Sequence, residues 1–123
     1  MNFLFRIEYY KEDERYPVID FINTLSTKDK AKILREIDML EEFGFALGMP
    51  YIKKMEGTDE LWELRVKIGS NNYRIFYFHY LKGLFVLLHG IHKKSTKTLK
   101  RDINLAISRI QEYKMRKEEK NES

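Results

Sequence analysis

The chain has 123 residues, of which 43% are hydrophobic and 34% are charged, and it contains no cysteine. This length predicts one globular domain. Without cysteine there can be no disulfide, thiolate metal site or cysteine nucleophile, and the composition favours a reducing, cytoplasmic location. Charge appears early in the chain and no stretch is apolar for the length of a membrane span, so we expect neither a signal peptide nor a membrane protein.

The net charge of +4 hides an uneven distribution. Residues 1–64 contain 9 Lys and Arg against 14 Asp and Glu, whereas residues 65–123 contain 14 against 5. A strong excess of one sign favours a partner of the opposite sign. We therefore expect the second half to form a nucleic-acid surface and the acidic first half to face away from it. The alternative is a basic chain whose charges are only solvated.

The first elements in chain order are predicted to be a strand and two helices. Residues 3–10 carry apolar side chains at every second position, which indicates a strand. Pro17 is typical of the first position of a short helix. Ser26 and Asp29 resemble a capping pair at the start of a second helix, and Gly44 is a natural end for it.

The middle of the chain predicts strands. Residues 46–58 contain turn residues without a sustained period, which indicates a connection or a weak extra element. Residues 61–68 and 73–80 predict a hairpin around a turn at residues 69–72. Residues 84–91 are apolar throughout, so we expect a strand covered on both faces at the centre of the sheet.

The C-terminal part predicts one more helix. Its apolar residues recur at helical spacing over residues 99–113, and the charged residues 114–123 are expected to fray. The order of elements predicts one small α+β domain over residues 1–113, with a charged C-terminal tail. We expect the helices to pack against one side of a twisted sheet.

The hairpin predicts a cationic face. A four-residue loop would place Arg65 opposite Phe76 and Lys67 opposite Arg74, so that these four side chains share one face. Guanidinium groups bind phosphates and rings stack on unpaired bases, which favours RNA as the ligand. The alternative is that each cation points singly into water.

A second group of cations surrounds the predicted start of the last helix. Positive charge is unfavourable at a helix N-terminus, whereas an anion is stabilised there. This pattern favours a phosphate site, with a solvated basic stretch as the alternative. The group comprises Lys93, Lys94, Lys97, Lys100 and Arg101.

Two histidines lie near this basic segment. No carboxylate occurs between Arg65 and Arg101 to join them, so we predict no metal site. We expect His89 to be a hydrogen-bonded core residue, whereas His92 is a candidate for proton transfer. The chain has no P-loop, serine-hydrolase elbow or paired-carboxylate motif, which argues against NTP hydrolysis, esterase and glycosidase activities.

Three runs in the second half resemble a known family when they are taken together in order. They are LWELRVK, NNYRIFY and FVLLHGIHKKSTKT, followed by an amphipathic helix. This set resembles the RelE superfamily of type II toxins, in particular its phage-derived HigB-like branch. The likeness extends upstream through PVIDFINTLSTKDKAKILREIDMLEEFG and PYIKKMEG. It implies a RelE/ParE-like fold with a strand, a helical hairpin, a three-stranded antiparallel meander and a C-terminal helix.

The resemblance also implies a function. Such a protein is a ribosome-dependent mRNA endoribonuclease, an mRNA interferase, which inhibits translation without a metal or other cofactor. Its partners are the ribosome, mRNA and a cognate antitoxin, which we expect to be a helix-turn-helix protein. The positions that match the family's active-site cations are Arg65, Arg74, Lys93 and Lys94. Leu99 stands where relatives often have proline, Glu63 stands where some carry a base, and the general base is not identified.

We therefore expect the ribose 2′-hydroxyl to attack the adjacent phosphate. Arg65 and Arg74 would clamp the phosphate, Lys94 would assist, and His92 would transfer a proton. RNA-binding roles are expected for Lys67, Phe76, Lys93, Lys97, Lys100 and Arg101. Two alternatives remain, which are a ParE-like inhibitor of DNA gyrase and a non-catalytic RNA-binding module.

Overall fold

The computed structural model describes residues 4–94 and 100–122, with the side chains of residues 121 and 122 left out. Three helices and five strands make up most of it. In chain order they are β1 (Arg6–Tyr9), α1 (Pro17–Asn23), α2 (Thr27–Phe43), β2 (Ile52–Lys54), β3 (Trp62–Ile68), β4 (Asn71–His79), β5 (Leu84–Lys93) and α3 (Lys100–Glu122). A 3-10 turn at Gly44–Leu47 follows α2.

The strands form one sheet in the order β1-β5-β4-β3-β2. β1 pairs with β5 in parallel, and the other neighbours are antiparallel. The α+β class and the RelE-like order of elements are therefore confirmed. The weak extra element predicted within residues 46–58 is the short edge strand β2, and the central strand is β4 rather than β5.

Helices cover both faces of the sheet. The first core joins α1 and α2 to β-strand residues such as Tyr73 and Ile75, whereas the second joins α3 to Phe76 and Phe78. Because alternate residues of a strand point to opposite faces, these two cores lie on opposite sides. The expectation that the helices share one side is wrong, because β4 and β5 are apolar at consecutive positions and both faces must be buried.

The N-terminus of α2 is tied to the start of β4. The hydroxyl of Ser26 accepts a hydrogen bond from the Asp29 N–H at 3.2 Å, as the capping pair predicts. The Asp29 carboxylate accepts hydrogen bonds from the Tyr73 hydroxyl at 2.5 Å and from the Asn71 side-chain amide at 3.2 Å. Asp29 is buried, so its carboxylate bonds to groups inside the fold and not to solvent.

The hairpin between β3 and β4 has a two-residue loop, Gly69–Ser70, instead of the predicted four-residue loop. Ile68 pairs with Asn71, and Arg65 pairs with Arg74. Gly69 has a φ of 60°, which a glycine at the first central position of a two-residue hairpin tolerates. The predicted pairing of Arg65 with Phe76 is therefore wrong, but the shift is by two residues and every side chain keeps its predicted face.

α3 continues through residues that were predicted to fray. It extends to Glu122, and its second half is held against the body of the fold. Lys114 forms an ion pair with Glu60, and the Arg116 guanidinium donates a hydrogen bond to the Lys11 carbonyl at 2.9 Å. The expected fraying after Tyr113 is wrong because these contacts fix the next turn of helix. No described helix is apolar over a length sufficient to cross a membrane.

Candidate nucleic-acid interface

Arg65 and Arg74 face each other across β3 and β4 on the side of the sheet that α3 covers further along. Glu63 precedes Arg65 by two residues and therefore lies on the same face. Its carboxylate oxygens lie 3.6 Å from Nε of Arg65 and 3.5 Å from Nε of Arg74. One carboxylate thus holds two guanidinium groups side by side.

Two of these three side chains are enclosed, Arg65 is 30% exposed, and their ion pairs are longer than hydrogen bonds. Glu63 and Arg74 are each only 5% exposed. Within residues 4–94 and 100–122, Nε of each arginine and Oε2 of Glu63 have no hydrogen-bond partner. Buried polar groups are usually satisfied by hydrogen bonds, whereas here the enclosed Nε atoms and the carboxylate are held together only as ion pairs at 3.5 to 3.6 Å.

Two lysines extend this positive charge. Lys93 lies opposite Asn72 on β5, and Lys53 lies opposite Glu63 on β2, so the register places both on the face of Arg65 and Arg74. We refer to Lys53, Arg65, Arg74 and Lys93 as the cationic cluster.

The pKa values report how closely these charges approach each other. Burial lowers the pKa of Lys93, and the positive charges of Arg74, Arg65 and Lys53 lower it further, while Glu63 opposes this. Burial is also the main cause of the lowered pKa of Arg74, with Glu63 acting against it and Arg65 adding to it. The cluster is therefore an excess of positive charge that an incoming anion would relieve.

The cationic cluster opens into a cleft of about 600 Å³ at the start of β4 and the end of β5. We refer to it as the basic cleft. Its cations are Arg74, Lys93 and Lys94, and Lys94 is exposed. The other lining residues are Ser70, Asn71, Asn72 and His92.

The two histidines have different environments. His92 pairs with Tyr73, and its ring lies 4.8 Å from the Tyr73 ring, which places it on the face opposite Arg74 although both line the basic cleft. His89 lies 2.8 Å through Nε2 from the carboxylate of Asp102 in the first turn of α3. The expected hydrogen bond of His89 is confirmed, but the residue is partly buried and not part of the core. The two imidazoles do not converge.

Phe76 cannot have the role predicted for it. Its side chain is 0% exposed and packs beneath α3, where its ring stacks on His89. A ring that is sealed by a helix cannot stack on a nucleotide base, so the prediction that Phe76 contacts RNA is wrong. The cause is tertiary, because α3 covers this part of the face.

The remaining predicted cations differ in position. Lys67 is exposed at the end of β3, on the face of Arg65. Lys100 and Arg101 are exposed in the first turn of α3. Lys97 lies outside the described residues.

Two residues of this region were not predicted from the sequence. Lys53 joins the cationic cluster through β2, an element too short to show a period. Tyr51 is 46% exposed and lines a second cleft of about 260 Å³ together with Arg65 and Arg74. The sequence contains one indication that Lys53 and Tyr51 belong to the site. Tyr51, Lys53 and Lys54 form a basic and aromatic segment beside Pro50.

Comparison with known protein families places the chain in one of them. A family model described as phage-derived protein Gp49-like (DUF891) matches residues 20–111, well over half of the chain. The matched segment contains α2 and the whole of β2 to β5, and so includes every member of the cationic cluster. No curated protein matches the chain significantly.

Proposed function

The chain belongs to the phage-derived protein Gp49-like family (DUF891), a family of RelE-like toxins, and we propose that it is the toxin of a type II toxin–antitoxin system. In this proposal it belongs to the HigB-like branch and inhibits translation by cutting mRNA on the ribosome. The observation that carries the proposal is the pair Arg65 and Arg74, opposed on one face beside an open basic cleft.

Two guanidinium groups side by side can bind the two non-bridging oxygens of a phosphodiester. Each presents several N–H donors in a plane, so that one or two charge-assisted hydrogen bonds can form to each non-bridging oxygen. Both arginines form an ion pair with Glu63 through Nε, which fixes their positions beside the basic cleft. Lys93 and Lys94 supply further positive charge in the same cleft. This arrangement supports phosphate binding.

Cleavage would proceed through the substrate's own ribose. The 2′-hydroxyl loses its proton and attacks the adjacent phosphorus, and the bond from phosphorus to the 5′-oxygen breaks. The products are a 2′,3′-cyclic phosphate and a 5′-hydroxyl, whose oxygen receives a proton. Arg65 and Arg74 stabilise the additional negative charge on phosphorus, for which pre-oriented cations are commonly worth about 3 kcal/mol each.

Other residues in and around the cleft would assist. Lys94 supports the phosphate clamp, while Lys93, Lys67, Lys100 and Arg101 contact the RNA backbone. His92 is the candidate for proton transfer, since it lines the basic cleft and an imidazole can both accept and donate a proton. Glu63 holds the two arginines parallel and is a positioning residue.

The proposal also includes the partners. A cognate antitoxin of the helix-turn-helix type would keep the toxin inactive, and the ribosome would present the mRNA. Action on translated mRNA implies that the protein works in the cytoplasm. No metal and no cofactor are needed in this mechanism.

The test is induction in a bacterium that lacks the antitoxin. Wild-type protein should arrest growth and produce new transcript ends within translated reading frames. Arg74→Ala and Arg65→Ala should each reduce cleavage by about two orders of magnitude. Arg6→Ala, which removes an exposed arginine from the other end of the sheet, is the matched control and should cut like wild type.

The outcomes distinguish the alternatives. Growth arrest with intact mRNA and loss of DNA supercoiling would identify a gyrase inhibitor. RNA binding without any arrest would identify a non-catalytic module. Full growth arrest by Arg74→Ala would show that this arginine is not catalytic and would overturn the proposal.

A further inference from the structure

A second groove continues from the cationic cluster to the side of α2. Arg65 and Arg74 line the 260 Å³ cleft together with Lys32 of α2 and Tyr51. Lys32 also lines the next depression, of about 300 Å³, with Lys28 and Arg35. Because Lys32 lines both, the two depressions meet at this side chain, and we call them together the side groove.

The side groove exists because β2 leaves part of β3 uncovered. β2 pairs only with Trp62, Glu63 and Leu64. The Arg65 N–H donates to the Tyr51 carbonyl at 2.7 Å, and beyond this point that edge of β3 meets no other strand within the described part of the chain. The groove therefore passes around an open sheet edge from the face of Arg65 to α2.

The cations of α2 are aligned along this path. Lys28, Lys32 and Arg35 are four and three residues apart, so they lie on one face of the helix over about 10.5 Å of its axis. Lys28 and Arg35 are exposed, whereas Lys32 forms an ion pair with Glu36 at 2.9 Å. Asp29, which follows Lys28, is turned inward to Tyr73 and Asn71. Glu36, which follows Arg35, lines the cleft but is buried and its charge is paired with Lys32. The helix thus presents positive charge although it lies in the acidic half of the chain.

Tyr51 supplies the aromatic element that Phe76 does not. Its ring is exposed and lies in the groove with Arg65. Bases of single-stranded RNA stack on exposed rings while the backbone follows a positive groove. A ring between the phosphate clamp and a row of cations is the arrangement that such a strand requires.

We infer that the side groove binds the single-stranded RNA that continues from the scissile phosphate, with one base stacked on Tyr51 and the backbone along Lys28 and Arg35. This inference rests on the proposed RNA substrate. It commits to the substrate strand and not to a protein partner, because the path is continuous with the cationic cluster and its exposed charges are positive.

The experiment measures binding of a fluorescein-labelled ten-nucleotide RNA whose riboses carry 2′-O-methyl groups, which prevent cleavage. Fluorescence anisotropy is recorded over a range of salt concentrations with the full-length protein. Lys28→Gln/Arg35→Gln should weaken binding about tenfold and reduce the slope of log affinity against log salt by about 1.4, because two phosphate contacts are lost. The matched pair Arg6→Gln/Lys82→Gln, with two exposed cations at the other end of the sheet, should change neither quantity.

Tyr51 has its own pair of variants. Tyr51→Ala should weaken binding about tenfold, and Tyr51→Phe should retain it because the stacking ring is kept. Equal loss in both variants would contradict stacking. Thermal unfolding followed by circular dichroism verifies that each variant is folded.

Failure of this inference is distinguishable from failure of the proposed function. If the groove variants bind RNA with wild-type affinity while Arg74→Ala abolishes cleavage in cells, the groove inference is wrong and the proposed nuclease activity is retained. Equal weakening by the groove pair and the control pair would show general charge attraction and would also overturn it. If wild-type protein does not bind the RNA, the inference is wrong whatever the cleavage assay shows. Loss of antitoxin binding with unchanged RNA affinity would assign the groove to a protein.

Discussion

The Tyr73 hydroxyl donates a 2.5 Å hydrogen bond to the carboxylate of Asp29 and so joins β4 to the first turn of α2. Burial, the hydrogen bond and the Asp29 charge raise the pKa of Tyr73 to about 12. The Tyr73 ring also supports His92, which lines the basic cleft. This contact links helix packing to the geometry of the candidate site.

Tyr73→Phe should lower the free energy of unfolding by about 1 to 2 kcal/mol at pH 7, because Asp29 loses a buried donor. The raised pKa means that the folded state holds the phenol proton more tightly than the unfolded state. The stabilisation is therefore complete below pH 10 and is lost as the pH rises from 10 to about 12. Urea unfolding at pH 7 and pH 11 measures both effects. Tyr51→Phe is the exposed control, and an unchanged pH dependence in Tyr73→Phe would contradict the linkage.

Glu63→Gln should destabilise the fold by about 3 kcal/mol, because the buried guanidinium of Arg74 and the partly exposed one of Arg65 lose their counter-charge. Cleavage should fall as well, since the two arginines are no longer held side by side. The double variant Glu63→Gln/Arg74→Gln should cost less stability than the sum of the single variants. Urea unfolding provides the comparison, with the exposed Glu42→Gln as control. Strict additivity would show that Glu63 does not act through Arg74.

Deprotonation of Lys93 should weaken RNA binding at alkaline pH. Its pKa is lowered by burial and by the neighbouring cations, so the ammonium group loses its proton below the ordinary value of 10.5. RNA affinity should decline through that lowered pKa, and Lys93→Arg should remove the decline. The same shift makes folding stability rise with pH over this interval, because the unfolded state binds the proton more tightly. Anisotropy titrations from pH 7 to 10 test this, and a decline that persists in Lys93→Arg would assign it to another group.

Asp102 should stabilise the start of α3 in two ways. It lies 2.8 Å from His89, and it places negative charge in the first turn of the helix. Asp102→Ala should lower the free energy of unfolding by about 1 to 2 kcal/mol and reduce Tm by about 4 °C per kcal/mol. Thermal melts measure this, with the exposed Glu118→Ala on the same helix as control. His89→Ala should add little in the Asp102→Ala background, and full additivity would contradict the contact.

The local sequence pattern was sufficient to predict the helices and strands and to predict which side chains share a face of the sheet. Apolar alternation placed Phe5, Ile7 and Tyr9 on one side of β1, and all three pack on the first core. The same alternation put Arg65 and Arg74 on one face even though the hairpin loop was counted two residues too long. Strand faces depend only on parity, so the error in register did not change them.

The errors arose where distant parts of the chain decide the outcome. Phe76 and Arg74 belong to the same strand face, but α3 covers only the first of them. Lys53 and Tyr51 reach the site through β2, whose three residues are too few for a periodic signal. Tyr51 is exposed and Phe76 is buried because of where each lies in the fold, and residue type alone does not predict this difference.

The pairing of β1 with β5 has a consequence for synthesis. β1 is synthesised first, but it pairs with β5, the last of the described strands, through contacts such as Arg6 with Leu84. Pairing between such distant segments forms late in folding. Lys93 lies at the end of that same late strand, so a chain that is still emerging from the exit tunnel before this strand is made has neither a finished sheet nor a complete cationic cluster. Completion of the cluster is therefore tied to completion of the sheet by the pairing of the first described strand with the last.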